Sequence, residues 1–195
     1  MSRVALVTGG MGGLGEAVCI KLAALGYKVV TTYSPGSTKV EGWLKSTREL
    51  GFDFKAYACD VSDYEQVMET IAQAEKAYGG LDLFFLNAGI STGFGLGADF
   101  DLAGYRRAMG INVDGVVYGV HAALPVLARR GGGSIVCTAS VVNVSGFMEM
   151  MILQNTRLHL VYELAELVAD SFALLDTKLA AETTRTTISF TPRSI

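Results

Sequence analysis

Cysteine, proline, histidine and tryptophan are all scarce in this chain of 195 residues, at three, three, two and one. The three cysteines, Cys19, Cys59 and Cys137, are odd in number and far apart. That spacing argues against a disulfide framework or a zinc site and fits the reduced thiols of a cytoplasmic protein. Positive charge is not in excess: sixteen Lys+Arg against nineteen Asp+Glu leave a net charge of −3. No basic patch is visible, so nucleic acid is not an expected partner. The longest apolar stretch, 113–128, is interrupted by Asp114, His121 and Pro125, which predicts no membrane span. The first ten residues lack the basic and apolar regions of a signal peptide, which adds to the expectation of a cytoplasmic location. Neither His121 nor His159 has a companion ligand at metal-binding spacing, so no metal site is expected. What is abundant is apolar material. Half the residues are hydrophobic and the mean hydropathy is +0.36, enough for one well-filled core and too much for a disordered chain.

Glycine divides the chain. All 23 glycines lie between Gly9 and Gly146, and none follows. The earlier part carries short glycine-punctuated connections, whereas the stretch from Phe147 reads as a long helical pattern and then a short strand. No linker or repeat separates the two, so residues 1–195 are read as a single domain. Strands are predicted at Val4–Thr8, Lys28–Tyr33, Phe54–Ala58, Leu81–Leu86, Ser134–Thr138 and Thr187–Phe190. Helices are predicted at Gly15–Leu25, Ser37–Leu50, Tyr64–Tyr78, Tyr105–Ala128 and Asn155–Glu182. Such alternation predicts an α/β fold: a doubly wound parallel sheet of about six strands with helices on both faces.

The strongest motif is the run Thr8-Gly9-Gly10-Met11-Gly12-Gly13-Leu14-Gly15, between the first strand and the first helix. Gly9 permits a tight turn, Gly13 lets a pyrophosphate approach the backbone, and Gly15 allows close packing of helix on strand. Amides at the helix start then face the anion. This is a dinucleotide-binding (Rossmann) turn in the sequence context that supports it. At the end of the second strand the segment 31–39, Thr-Thr-Tyr-Ser-Pro-Gly-Ser-Thr-Lys, contains no acid to hold a ribose 2′-hydroxyl. Its hydroxyls and Lys39, with Tyr33 and Ser34 between, suit a 2′-phosphate, so NADP(H) is expected in preference to NAD(H).

The spacing from Thr8 to Gly15 resembles the cofactor turn of the short-chain dehydrogenase/reductase family. Asp60-Val61 is similar to that family's adenine-contacting pair, and Asn87-Ala88-Gly89 to the motif that lies beside the cofactor. Asn112 matches the helix asparagine of the family's catalytic tetrad, and Ser140 its catalytic serine. The resemblance spans residues 3–142, leaving 143–195 as a divergent helix plus short strand that stops before the family's seventh strand. From Gly9 to Gly89 it is closest to acetoacetyl-CoA reductases, sharing Thr8–Gly13, the Trp43-containing helix and Leu50–Phe54. It implies reduction of a small-molecule carbonyl, such as a 3-oxoacyl-CoA like acetoacetyl-CoA, by a homo-oligomer.

Family catalysis rests on a tyrosine and a lysine four residues later on one helix face. The lysine lowers the tyrosine pKa, and the serine hydrogen-bonds the carbonyl. No Tyr-x-x-x-Lys occurs in these 195 residues. Counting back thirty residues from Pro192 gives Tyr162 as the expected tyrosine, with Glu166 at the lysine position. A carboxylate there should raise the phenol pKa. The alternative reading is therefore a catalytically impaired or non-catalytic nucleotide-binding protein of the same fold. Ser145 is a second candidate serine, and Arg157 or Lys178 a substitute cation. Met148, Met150 and Met151 read as core or lid, and Arg129 and Arg130 as a solvated helix end.

Overall fold

A computed structural model describes residues 2–91, 97–140 and 183–190. Six strands form one sheet in the order β3-β2-β1-β4-β5-β6. They are β1 (Val4–Val7), β2 (Lys28–Tyr33), β3 (Lys55–Ala58), β4 (Leu83–Leu86), β5 (Gly133–Ser140) and β6 (Thr183–Phe190). The first five run parallel, with β1 at the centre between β2 and β4. The chain reverses its strand order at β1, so a crevice opens above the carboxyl ends of β1 and β4, where open α/β sheets bind ligands. The expectation of a doubly wound parallel α/β sheet holds for these five strands. The sixth differs: β6 pairs antiparallel with β5, Gly133 opposite Phe190 and Ser140 opposite Thr183. An antiparallel neighbour satisfies the free edge of β5 as fully as a parallel one, and the pattern Thr-Thr-Arg-Thr-Thr-Ile-Ser-Phe contains nothing that selects direction.

Helices α1 (Gly13–Ala24) and α2 (Val40–Glu49) cover one face. Helices α3 (Tyr64–Tyr78), α4 (Leu102–Met109) and α5 (Gly115–Arg130) belong to the other side. Strand residues alternate between the two layers, as period-two pleating requires. Leu6, Val30, Phe84 and Ile135 pack with Val67, Ile71, Val126 and Leu127. Their neighbours Val7, Val29, Phe85 and Val136 pack with Val18, Cys19 and Leu22. Burial on both faces explains the unbroken apolar runs of β1 and β4. Complete burial of Phe84 alone contributes about 1.5–3 kcal/mol of transfer free energy.

α3 begins where Asp63 accepts hydrogen bonds from the Glu65 and Gln66 amides, at 3.0 and 3.2 Å. It ends at Gly79, whose left-handed φ of 79° closes the helix. The expected helix 105–128 starts three residues earlier, because the Asp101 carboxylate caps it through Ala103 and Gly104. It is also not uniform. Residues Gly110–Asp114 form a single π turn between α4 and α5. The continuous run Leu102–Arg130 is 29 residues long and, by length and hydropathy, long enough to cross a bilayer, contrary to the shorter stretch read from sequence. In the fold, Ala122, Ala123, Val126 and Leu127 of this run are buried against the sheet and α3.

At its far end α5 is anchored by charge, not merely solvated. Arg130 Nε donates to Asp82 Oδ1 at 2.8 Å, and the Val4 amide donates to Asp82 Oδ2 at 2.8 Å. Arg129 reaches Glu75 at 2.9 Å. Both arginines were expected in solvent; Arg129 is 60% exposed and pairs with Glu75 at the surface, whereas Arg130 is largely covered and held by Asp82. His121 shares a 3.0 Å hydrogen bond with the Tyr64 hydroxyl.

Candidate functional site

The residues singled out in the sequence gather at the carboxyl ends of the parallel strands. Thr8 follows β1, Tyr33 ends β2 and Ser34 follows it, Asp60 lies just after β3, Asn87 follows β4 and Ser140 ends β5. The turn Thr8–Gly13 is built on steric exclusion. Gly9 has a φ of +67°, and a Cβ there would lie 3.0 Å from the Ala88 Cα. A Cβ on Gly10 would fall 1.9 Å from Thr31 Oγ1. A Cβ on Gly15 would fall 2.3 Å from the Gly9 carbonyl oxygen and 2.7 Å from Gly10 Cα. Gly15 thus serves the compactness of the turn itself, a closer contact than the helix–strand packing expected of it.

α1 starts with Gly12 as its N-cap, and no side chain caps it. Its first-turn amides therefore have no side-chain acceptor, and the helix dipole favours an anion there. Gly12 and Gly13 are exposed, Met11 and Leu14 half-buried. A turn that Gly9, Gly10 and Gly15 keep tightly closed, beside an uncapped helix start, fits the pyrophosphate of a dinucleotide.

Two hydroxyls beneath the turn correct the sequence reading. Thr31 and Thr32 were counted among the groups suited to a 2′-phosphate, but both are buried. Thr31 Oγ1 donates to the Val7 carbonyl at 2.9 Å, and the Gly9 amide donates to Thr32 Oγ1 at 3.2 Å. They support the turn from below, buried where a 2′-phosphate would not reach them. Of that segment Ser34 and Lys39 remain exposed and Tyr33 half-buried. Cys19 lies under Gly10; burial pushes its thiol up to about 12 against the opposing hydrogen bond to Thr31.

A second group ties the turn to β4 and β5. The amides of Asn87 and Ala88 both donate to Thr8 Oγ1, at 2.8 and 3.0 Å. Asn87 Nδ2 donates to the Thr8 carbonyl at 3.2 Å, while its Oδ1 accepts from Thr138 Oγ1 at 3.2 Å. Thr138 was not singled out from sequence, and Thr32 was read there as a ligand group and not as a support of the turn. Their signal was weak: a hydroxyl in an otherwise apolar buried strand.

Asn112 lies within the π turn. Its Oδ1 accepts from the Ile90 amide and its Nδ2 donates to the Ile90 carbonyl, each at 2.8 Å. The side chain acts at both ends of its amide as a strap between the helical run and the segment after β4. Gly89 passes beneath it; a Cβ there would be 3.3 Å from Asn112 Oδ1. Asp60 Oδ1 accepts from both the amide and the hydroxyl of Ser62, at 3.0 and 2.6 Å. Val61 is buried against Gly115, whose own Cβ would meet Val61 Cγ2 at 2.9 Å. Ser140 is placed by backbone pairing alone, at the end of β5 opposite Thr183. Tyr162, Glu166, Ser145, Arg157, Lys178, His159, the methionines 148–151 and the expected helix 155–182 lie outside the described residues. Among the described residues no group of three or more His, Cys, Asp or Glu could hold a metal ion.

A dinucleotide turn at the centre of a parallel sheet, braced by Asn87 and overlooked by Asn112, defines a Rossmann-type nucleotide-binding fold. Residues 3–152 match the family model described as short chain dehydrogenase, and the chain belongs to that family of oxidoreductases. It is 33% identical over 144 residues to an acetoacetyl-CoA reductase of Cupriavidus necator, covering 74% of this chain and 58% of that protein. The crystal structure of levodione reductase superposes with a TM-score of 0.69 at 32% identity, covering 80% of this chain and 64% of that one. A short-chain dehydrogenase from Burkholderia cenocepacia J2315 in complex with NADP gives a TM-score of 0.55 at 32% identity, over 64% of this chain and 50% of that one. The chain spans a little over half the length of the curated relatives it matches.

Proposed function

We propose that this protein binds NADP(H) and reduces a carbonyl, with a 3-oxoacyl-CoA such as acetoacetyl-CoA as substrate. The observation that carries the reading is the turn itself: three glycines whose added Cβ atoms would press on Ala88, on Thr31 or on the turn's own backbone, opening onto an uncapped helix start. Thr8, Gly9, Gly10, Met11, Gly13, Leu14 and Gly15 would hold the pyrophosphate. Asp60 and Val61 would meet the adenine, and Asn87, Ala88 and Gly89 would pass beside the nicotinamide end. The bound cofactor would supply hydride. NADP(H) is preferred over NAD(H) because no acid follows Tyr33 and Ser34 before Glu41, while exposed Lys39 offers a cation. The relative crystallised with NADP supports the same choice.

The roles left to the protein are positional and electrostatic. Asn112 holds the segment after β4 in place. Ser140 would donate a hydrogen bond to the carbonyl oxygen, and Tyr162 would supply the proton. Substrate is a small molecule. Val117 and Leu124 of α5 are 57% and 38% exposed and seven residues apart on one helical stripe, which supports a homo-oligomer that covers them. Homologous oxidoreductases and the balanced charge support a cytoplasmic setting, without membrane or nucleic-acid partners.

A second reading is favoured by one observation: Glu166 stands four residues after Tyr162, where a lysine is needed. A protein of this fold that binds nucleotide without turning over substrate would satisfy it. NADPH oxidation with and without acetoacetyl-CoA separates the two. A substrate-dependent rate, lost in Tyr162→Phe, supports the reductase. Absence of a rate, in protein whose melting temperature NADPH raises, supports the second reading. At a hundred times the dissociation constant that stabilisation is about 2.7 kcal/mol. No response to NADPH or NADH would overturn both.

A further inference from the structure

α2 is held unusually lightly. Thr47 is its one fully buried residue, and Trp43 and Leu44 pack only partly onto the second core layer. Two contacts fix it against its neighbours. The Trp43 ring stacks on Phe54 with centroids 5.5 Å apart, and Phe54 stacks in turn on Phe52 at 5.7 Å. The indole Nε1 of Trp43 donates to Glu16 Oε2 at 2.5 Å, bridging 27 residues of sequence. Glu16 lies in the first turn of α1, immediately after Gly15. A hydrogen bond to a carboxylate is short and about twice as strong as one between neutral groups.

Those two helices carry the two halves of the adenosine side. α1 presents the uncapped amides that follow Gly12, and α2 begins one residue after Lys39, at the end of the segment bearing Tyr33 and Ser34. The sheet and the Gly9–Thr32 bond join the two halves at their base, and the Trp43–Glu16 bond joins them again between the helices. The same bond has a second effect. A glutamate in the first turn of a helix is attracted to the amides an anionic ligand would use. Tethered to the indole, the Glu16 carboxylate is kept on the α2 side.

We propose that Glu16 and Trp43 form a clasp that positions the β2–α2 segment against the phosphate turn, and that both are positioning residues for dinucleotide affinity. This rests on the nucleotide-binding reading above. The test is calorimetric titration of the full chain with NADP+, for wild type, Trp43→Phe, Glu16→Ala, Glu16→Gln and the Trp43→Phe/Glu16→Ala double variant. Phenylalanine keeps the stack on Phe54 and removes the donor. Glutamine removes the charge and keeps an acceptor oxygen.

The clasp predicts about tenfold weaker binding for Trp43→Phe and for Glu16→Ala, the equilibrium value of one net hydrogen bond. It predicts that the double variant is no weaker than either single one, and that Glu16→Gln binds at least as tightly as wild type. Rescue by glutamine separates positioning from general loss of packing. Glu16→Ala binding as tightly as wild type, or single effects that multiply to about a hundredfold in the double variant, would overturn the clasp. Should Trp43→Phe fail to fold, the contrast between Glu16→Ala and Glu16→Gln decides alone. Wild-type chain that binds neither NADP+ nor NAD+ overturns the underlying functional reading and the clasp with it, a result distinct from the variant pattern.

Discussion

Replacing Gly15 with alanine should cost far more than adding one methyl group suggests. The new Cβ would sit 2.3 Å from the Gly9 carbonyl oxygen and 2.7 Å from Gly10 Cα. Ordinary carbon contacts lie near 3.5–4.0 Å, so more than about 1 Å of overlap must be relieved. Both obstacles are backbone, and neither is free to move. The Gly9 amide is bound to Thr32, its Cα region abuts Ala88, and Gly10 is wedged against Thr31. Overpacking of this kind costs about 1–3 kcal/mol, and each supporting hydrogen bond that breaks adds about 1 kcal/mol. Alanine returns up to about 1 kcal/mol as a better helix former. The net is roughly 2–3 kcal/mol, which for a chain of this length lowers the melting temperature by roughly 4–12 °C.

Gly12→Ala is the internal control. Its nearest obstacle is 3.5 Å away and its backbone is extended, with φ −86° and ψ 162°, so alanine fits. Its effect should stay within about 1 kcal/mol. Thermal unfolding followed by circular dichroism measures both. Equal stability of the two variants would refute the claim that the turn is sterically closed at Gly15 and open at Gly12.

Three further expectations follow from other contacts. Asn112→Ala removes both 2.8 Å bonds to Ile90 and should cost about 2 kcal/mol or more while accelerating hydrogen exchange at the Ile90 amide; Asn112→Asp keeps the acceptor and should leave that amide protected. Unchanged exchange in the alanine variant would remove the strap. At Asp82 burial pushes the carboxyl pKa up, but the Arg130 and Val4 hydrogen bonds and the charges of Arg130 and Arg3 outweigh it and leave the group below its usual value. A depressed folded pKa stabilises the protein above the unfolded pKa of about 4, and that contribution disappears as pH falls through the folded value. Melting temperature measured from pH 6 to 3 should therefore fall less steeply in Asp82→Asn, and parallel curves would refute the linkage. Burial pushes the Cys19 thiol up to about 12 and raises Cys59 as well, so an aromatic disulfide reagent at pH 8 should titrate both only on unfolding. Rapid reaction of either in the native protein would contradict their placement.

Much of the architecture was legible because local and tertiary demands coincide. β2 and α3 fall at the predicted residues: one is a β-branched run buried at Val29–Thr32, the other is bounded by Asp63 and Gly79. The glycine turn was legible for the same reason, since the missing Cβ atoms of Gly9, Gly10 and Gly15 each answer to a close contact. What sequence could not supply depends on docking. Thr31 and Thr32 read as ligand groups until β2 is seen to lie beneath the turn. The Trp43–Glu16 bond exists only because α2 rests beside α1. Asp101 was available as a cap signal for α4, whereas the widened turn at Gly110–Asp114 is held open by a side-chain bond to Ile90 that no periodicity shows. The direction of β6 was equally silent, because edge pairing does not distinguish it.

That widened turn gives the helix a phase as well as a length. One extra residue rotates everything after it by about 100° relative to an uninterrupted α-helix. Ala108 on α4 and the buried set Ala122, Ala123, Val126 and Leu127 on α5 therefore reach the interior by two separate alignments, joined at Asn112. Straightening this turn without removing a residue would swing the inner face of α5 toward water, whereas deleting one residue between Gly110 and Asp114 would restore regular hydrogen bonding and leave that face where it is. In this segment the wide turn takes up one residue locally, so that the helices on either side of Asn112 both keep their inner faces on the sheet.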